Sequence, residues 1–167
     1  RGQECKHDTD IEIVQEKDCD LQVADADSDI LFDTEKAPLS REEYEELKAL
    51  VLKSARDFYA LYSSISNKTE SCLPQRRTFY GAVPRTAQEM YEHTKNVNSY
   101  YFAEINIDVD NEGTIYDCRK RGFERLEQRP NFLDNAVIEG SYDELWSLRK
   151  AMRRFLWHDR IHAKAMY

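Results

Sequence analysis

Apolar side chains recur at three- and four-residue steps along most of the chain, the rhythm that lines one face of an α-helix. Tyr44, Leu47, Val51, Phe58, Leu61, Tyr62 and Ile65 form the first such stripe. It follows Ser40-Arg41-Glu42-Glu43, a capping box in which the serine hydroxyl accepts from the third helical amide and the glutamate returns to the cap N–H. One long helix over residues 40–66 is the prediction. Thr86-Ala87-Gln88-Glu89 repeats the box after Pro84, and Met90, Val97, Tyr101 and Ile105 carry its stripe toward Asp108. Ser141-Tyr142-Asp143-Glu144, preceded by Gly140, is a third box, with Leu145, Leu148, Met152, Phe155 and Leu156 as its apolar face. Shorter helices are predicted over residues 115–127, stopped by Pro130, and over 132–138.

The segment between the second helix and the next, residues 105–115, admits three readings. It can connect helices as a turn, fold as a hairpin around Asn111-Glu112-Gly113, or hold calcium on Asp108, Asp110 and Glu112. The calcium reading lacks its closing ligand, because the twelfth loop position is Arg119 and not a glutamate. The turn fits the pattern best.

Charge divides the chain in two. The 167 residues carry 24 Lys+Arg and 32 Asp+Glu, a net −8. Residues 1–36 hold twelve carboxylates and four cationic side chains, so the remainder is neutral. The fold class this predicts is all-α: a disulfide-linked helical bundle over residues 37–167 with an extended acidic N-terminal arm over residues 1–36. The Asp25-Ala26-Asp27-Ser28-Asp29 run lacks the turn glycine and distal glutamate of a calcium loop and reads as solvated linker. A neutral body with an acidic arm is a poor nucleic-acid binder. No run of about 20 apolar residues is present, which excludes a membrane span, and no glycine-rich phosphate loop occurs among the five glycines.

Cys5, Cys19, Cys72 and Cys118 form no CxxC pair and suit no zinc spacing. Their even number fits two disulfides, and of the three pairings Cys5–Cys19 with Cys72–Cys118 is favoured. The longer loop alone would contribute roughly 4 kcal/mol by chain entropy. Asn67-Lys68-Thr69 is a glycosylation sequon at the expected end of the first helix. Together these point to a secreted glycoprotein.

Tyr44, Tyr91 and Tyr142 fall at comparable points of the three boxes, and Cys72-Leu-Pro-Gln-Arg76-Arg77-Thr-Phe79 parallels Cys118-Arg-Lys-Arg121-Gly-Phe123. The parallel predicts two degenerate helix-plus-cysteine repeats. With Tyr116-Asp117-Cys118 they resemble the bicycle family of secreted effectors that gall-forming aphids inject into plants. The resemblance spans at most residues 44–123 and departs from the family pattern at Cys5 and Cys19, between which no tyrosine lies. It implies a secreted helical effector acting on host proteins.

His158-Asp159-Arg160-Ile161-His162 puts two imidazoles four residues apart on one helical face, as in HExxH hydrolases. Aspartate replaces the general-base glutamate, and His7 or His93 would have to supply a third ligand through the fold. No GxSxG and no evident nucleophile–base pair occurs, so no catalytic residue, resident metal or cofactor is assigned. The leading expectation is a non-enzymatic, secreted protein that binds a protein partner, an effector binding a host protein. Its contacts are expected from Trp146, Arg153, Trp157 and Arg160 on a flank of the last helix, with the acidic arm as an intramolecular competitor for that flank. The alternatives are a carrier of a small apolar ligand, requiring a cavity of ~300 Å3 or more, and a metal-dependent enzyme using His158 and His162.

Overall fold

Four helices begin where short polar side chains close their first free amides. Ser40 accepts from the Glu43 N–H at 3.0 Å, Thr86 from Glu89 at 3.1 Å, Thr114 from Asp117 at 3.2 Å and Ser147 from Lys150 at 3.2 Å. At the first three, the carboxylate three residues on returns to the cap N–H. The computed structural model describes residues 11–18, 29–78 and 81–166. It shows α1 (Arg41–Ser64), α2 (Ala87–Glu104), α3 (Ile115–Glu127) and α4 (Leu148–Ala165). Two-residue strands β1 (Arg77–Thr78) and β2 (Gly81–Ala82) pair antiparallel before α2. Likewise β3 (Ile138–Glu139) pairs with β4 (Leu145–Trp146) before α4.

α1 and α2 each pack against both α3 and α4. Their apolar faces meet in one core that includes Tyr44, Val51, Phe102, Phe123, Trp146, Met152 and Phe155. Gly122 permits the α2–α3 approach, since a Cβ there would lie 2.0 Å from the Phe102 ring. No helix among the described residues is long and apolar enough to cross a membrane.

The third predicted box starts no helix. Tyr142 and Asp143 take φ of 60° and 59°, a left-handed geometry that ends a 3-10 turn over Ser141–Asp143. Glu144 is consumed differently: it is buried, and its carboxylate accepts from the Lys150 ammonium at 2.7 Å. The chain then runs as β4, whose alternation turns Trp146 inward and leaves Leu145 44% exposed. The expected helix over 132–138 is a 3-10 turn at Phe132–Asp134, followed by left-handed Asn135 and β3.

Residues 105–114 connect α2 to α3 without a strand. Asp110 accepts from the Glu112 N–H at 2.9 Å and from the Arg121 guanidinium at 2.5 Å. Both bonds hold its carboxyl below the usual range. Arg119, at the twelfth loop position, turns into the core.

Part of the acidic arm is packed. Leu31 and Glu35 are buried, and the Glu35 carbonyl accepts from Ser147 and Asn135 at 2.8 and 2.7 Å. Residues 29–36 thus belong to the folded body, whereas Ile11 and Val14 are exposed.

The expected Cys72–Cys118 disulfide is not formed. Cys72 is exposed in the connector after α1, while Cys118 is buried in α3 with its thiol donating to the Glu112 carbonyl at 3.1 Å. Burial pushes that thiol up. Cys5, Cys19 and His7 lie outside the described residues.

Candidate metal centre and the flank of the last helix

Two helices bring three imidazoles together. His158 and His162 stand one turn apart on α4, and α2 presents His93 to both. The ring centroids are 5.0 Å apart for His93–His158, 4.9 Å for His93–His162 and 4.5 Å for His158–His162. One nitrogen from each ring lies within 4.8 Å of the other two. The Nε2 atoms of His93 and His158 are 3.2 Å apart. Two nitrogens bound tetrahedrally to one zinc at ~2.0 Å are separated by about 3.3 Å. The 3.2 Å spacing also suits one Nε2–H donating to the other ring.

Electrostatics favours the ligating form. Burial, then the fields of His162, His93, Arg154 and Arg119, hold His158 well below the usual imidazole range. Burial and His93 bring His162 down to about 3, and burial lowers His93. All three rings are neutral at pH 7, with lone pairs available to a metal. The Nδ1 of His158, on the side of the ring away from Nε2, is buried without a hydrogen-bond partner among the described residues.

All three histidines line a cavity of about 340 Å3. Its other walls are mostly apolar, from Leu73, Pro74, Val83, Pro84, Met90, Trp157, Ile161 and Ala165, with Arg76 and Arg85 as the charged side chains among the described lining residues. Among the described lining residues there is no carboxylate. Asp159, which the HExxH-like spacing would make a general base, faces elsewhere. It is 2% exposed and binds Arg119 at 2.6 and 3.0 Å and the Ser54 hydroxyl at 2.6 Å. Asp159 is structural.

The predicted partner residues do not form one exposed flank. Trp146 is fully buried on β4, because α4 starts two residues later than it. Arg153 is paired with Asp29 and with Glu35, the latter at 2.5 Å, which realises the intramolecular competitor. Trp157 is half-buried under the Arg154 guanidinium, 5.3 Å from its ring centre. Arg160 is exposed. Asn67 is exposed just after α1, its Oδ1 accepting from the Thr69 N–H at 3.2 Å.

The sequence offered His93 or His7 as a third ligand, and the structure brings His93 to the pair. The His-x-x-x-His pair signals two ligands, but the third comes from a helix 65 residues away. The chain matches no family model, and no curated protein or solved structure matches it either.

Proposed function

We propose that this protein binds a divalent transition metal of the zinc class through His93, His158 and His162. The observation that carries this reading is the convergence of three neutral imidazoles on one point, with two Nε2 atoms at the spacing of ligands on a single ion. Imidazole suits zinc, copper and nickel, whereas calcium and magnesium prefer oxygen donors. Binding is the activity these observations support, since Asp159 is held by Arg119 and the described cavity lining offers no carboxylate base.

Zinc and cobalt(II) titrations of the purified chain test it. One equivalent should bind, with a cobalt spectrum of tetrahedral intensity, and His93→Ala or His162→Ala should each weaken binding by at least about tenfold. Uptake unchanged in both variants would sink the reading.

A second reading, a secreted protein that binds a protein partner, is supported by one groove. Leu47, Leu156, Trp157 and Ile161 line it together with Arg149, Arg153, Arg160 and Lys164, with no carboxylate among the described lining residues. An acidic amphipathic segment of a partner has the matching chemistry. The exposure of Asn67 suits glycosylation, and the effector role rests on the family resemblance. Fluorescence anisotropy with a glutamate-rich amphipathic peptide should show binding that Arg160→Glu with Lys164→Glu abolishes.

A further inference from the structure

A zinc ion on three imidazoles keeps its full +2 charge, because all three ligands are neutral. Among the described residues that line the cavity, no carboxylate offsets it. The described lining of the cavity adds Arg76 and Arg85. An uncompensated dication in a partly buried site is costly, so a fourth ligand carrying negative charge is favoured over a neutral one. The walls around that position are apolar, chiefly Leu73, Val83, Met90, Trp157 and Ile161. A volume of about 340 Å3 lies at the small end of the range for small-molecule sites.

We infer that the cavity binds a small carboxylate with an apolar tail, its head group taking the fourth position on the metal and its tail lying against Leu73, Val83, Met90, Trp157 and Ile161. This rests on the metal reading above. The constellation thus serves as a metal-dependent ligand site. The metal supplies charge and orientation, and the walls select by length. A bound hydroxide would also balance the charge, but it would leave the apolar walls in contact with water.

Zinc-loaded protein titrated with acetate, butanoate, hexanoate and octanoate, with hexanol as the uncharged control, tests this by calorimetry and by the fluorescence of Trp157. Affinity should rise about three- to fourfold per added methylene until the cavity is full. Hexanol, and hexanoate on the metal-free protein, should bind at least tenfold more weakly. Ile161→Trp, at a partly exposed position of α4, should keep zinc binding and lose the preference for longer tails. Equal affinity for acetate and hexanoate would overturn the inference, as would equal binding of hexanoate with and without metal. Zinc failing to bind at all would overturn the metal reading together with this one. Zinc binding with no carboxylate response would overturn this one alone.

Discussion

Arg119 of α3 donates to both carboxylate oxygens of Asp159 on α4, at 2.6 and 3.0 Å, with neither side chain more than 2% exposed. The guanidinium also donates to Asn98 on α2 at 3.0 Å and lies 4.5 Å from the centre of the Phe155 ring, while Ser54 of α1 donates to Asp159. One ion pair therefore ties all four helices.

Removing one partner leaves the other charged, buried and unpaired. Asp159→Leu or Arg119→Met alone should cost about 3–5 kcal/mol, while the double variant should recover much of that loss. Urea denaturation of the two singles and the double measures both terms. If each single variant were as stable as the parent, the pair would not be the staple described.

Trp146 is a core residue. It is fully buried, with its ring 5.4 Å from Tyr101 and 4.6 Å from the Lys150 ammonium. Trp146→Ala should destabilise the fold by about 3–5 kcal/mol, whereas Arg160→Ala on the exposed side of α4 should stay within about 0.5 kcal/mol. Thermal unfolding of the two variants separates a packing role from a surface role. A mild Trp146 variant would contradict the burial.

Local chemistry was legible in the sequence where it acts within one turn. The boxes at Ser40 and Thr86 start α1 and α2, and the apolar stripe with Pro130 beyond it marks α3 at Ile115–Glu127. Ser141 carries the same signature and fails, because Glu144 makes a buried pair with Lys150 and Trp146 fills the core through β4. Tertiary demand there outweighs a cap worth about 1 kcal/mol. The spacing of His158 and His162 was legible for the same local reason. His93, the ion pair of Arg119 and the docking of Glu35 depend on which helices meet, and no periodicity encodes that.

Residues 29–36 are held to α4 by charge and by burial. Arg153 pairs with Asp29 and Glu35, Lys36 pairs with Asp33 at 2.6 Å, and Lys17 pairs with Asp33 at 3.0 Å. Those two lysines hold the Asp33 carboxyl down at about 2. Arg153→Ala should raise protease cleavage within 29–36 several-fold with little change in helicity. Salt should do the same to the parent chain by screening the more exposed pairs. Unaltered proteolysis in the variant would assign the docking to Leu31 and the Asn135 and Ser147 contacts alone.

The three histidines predict how stability follows pH. Each is held below the usual imidazole value of ~6.5, His162 to about 3 and the others by burial in the same direction. Arg119 and Arg154 face His158 and add to its resistance to protonation. Below ~6.5 the unfolded chain takes up protons that the folded chain refuses, so the folded state loses stability as pH falls from about 6.5 toward 3 and bears no such cost above 7. Metal-free protein should therefore melt at a lower temperature at pH 5 than at pH 7.5. That interval lies above the titration of carboxylates such as Asp33. His162→Asn should flatten the slope by removing one of the three groups. Zinc should raise the melting temperature at both pH values, and its gain at pH 5 should stay close to that at pH 7.5, because imidazoles held neutral in the folded chain give up no affinity to protons there. A parent chain and a His162→Asn variant with the same pH slope would show that His162 is not held neutral by its surroundings, and the centre would lose the poise that suits it to a metal.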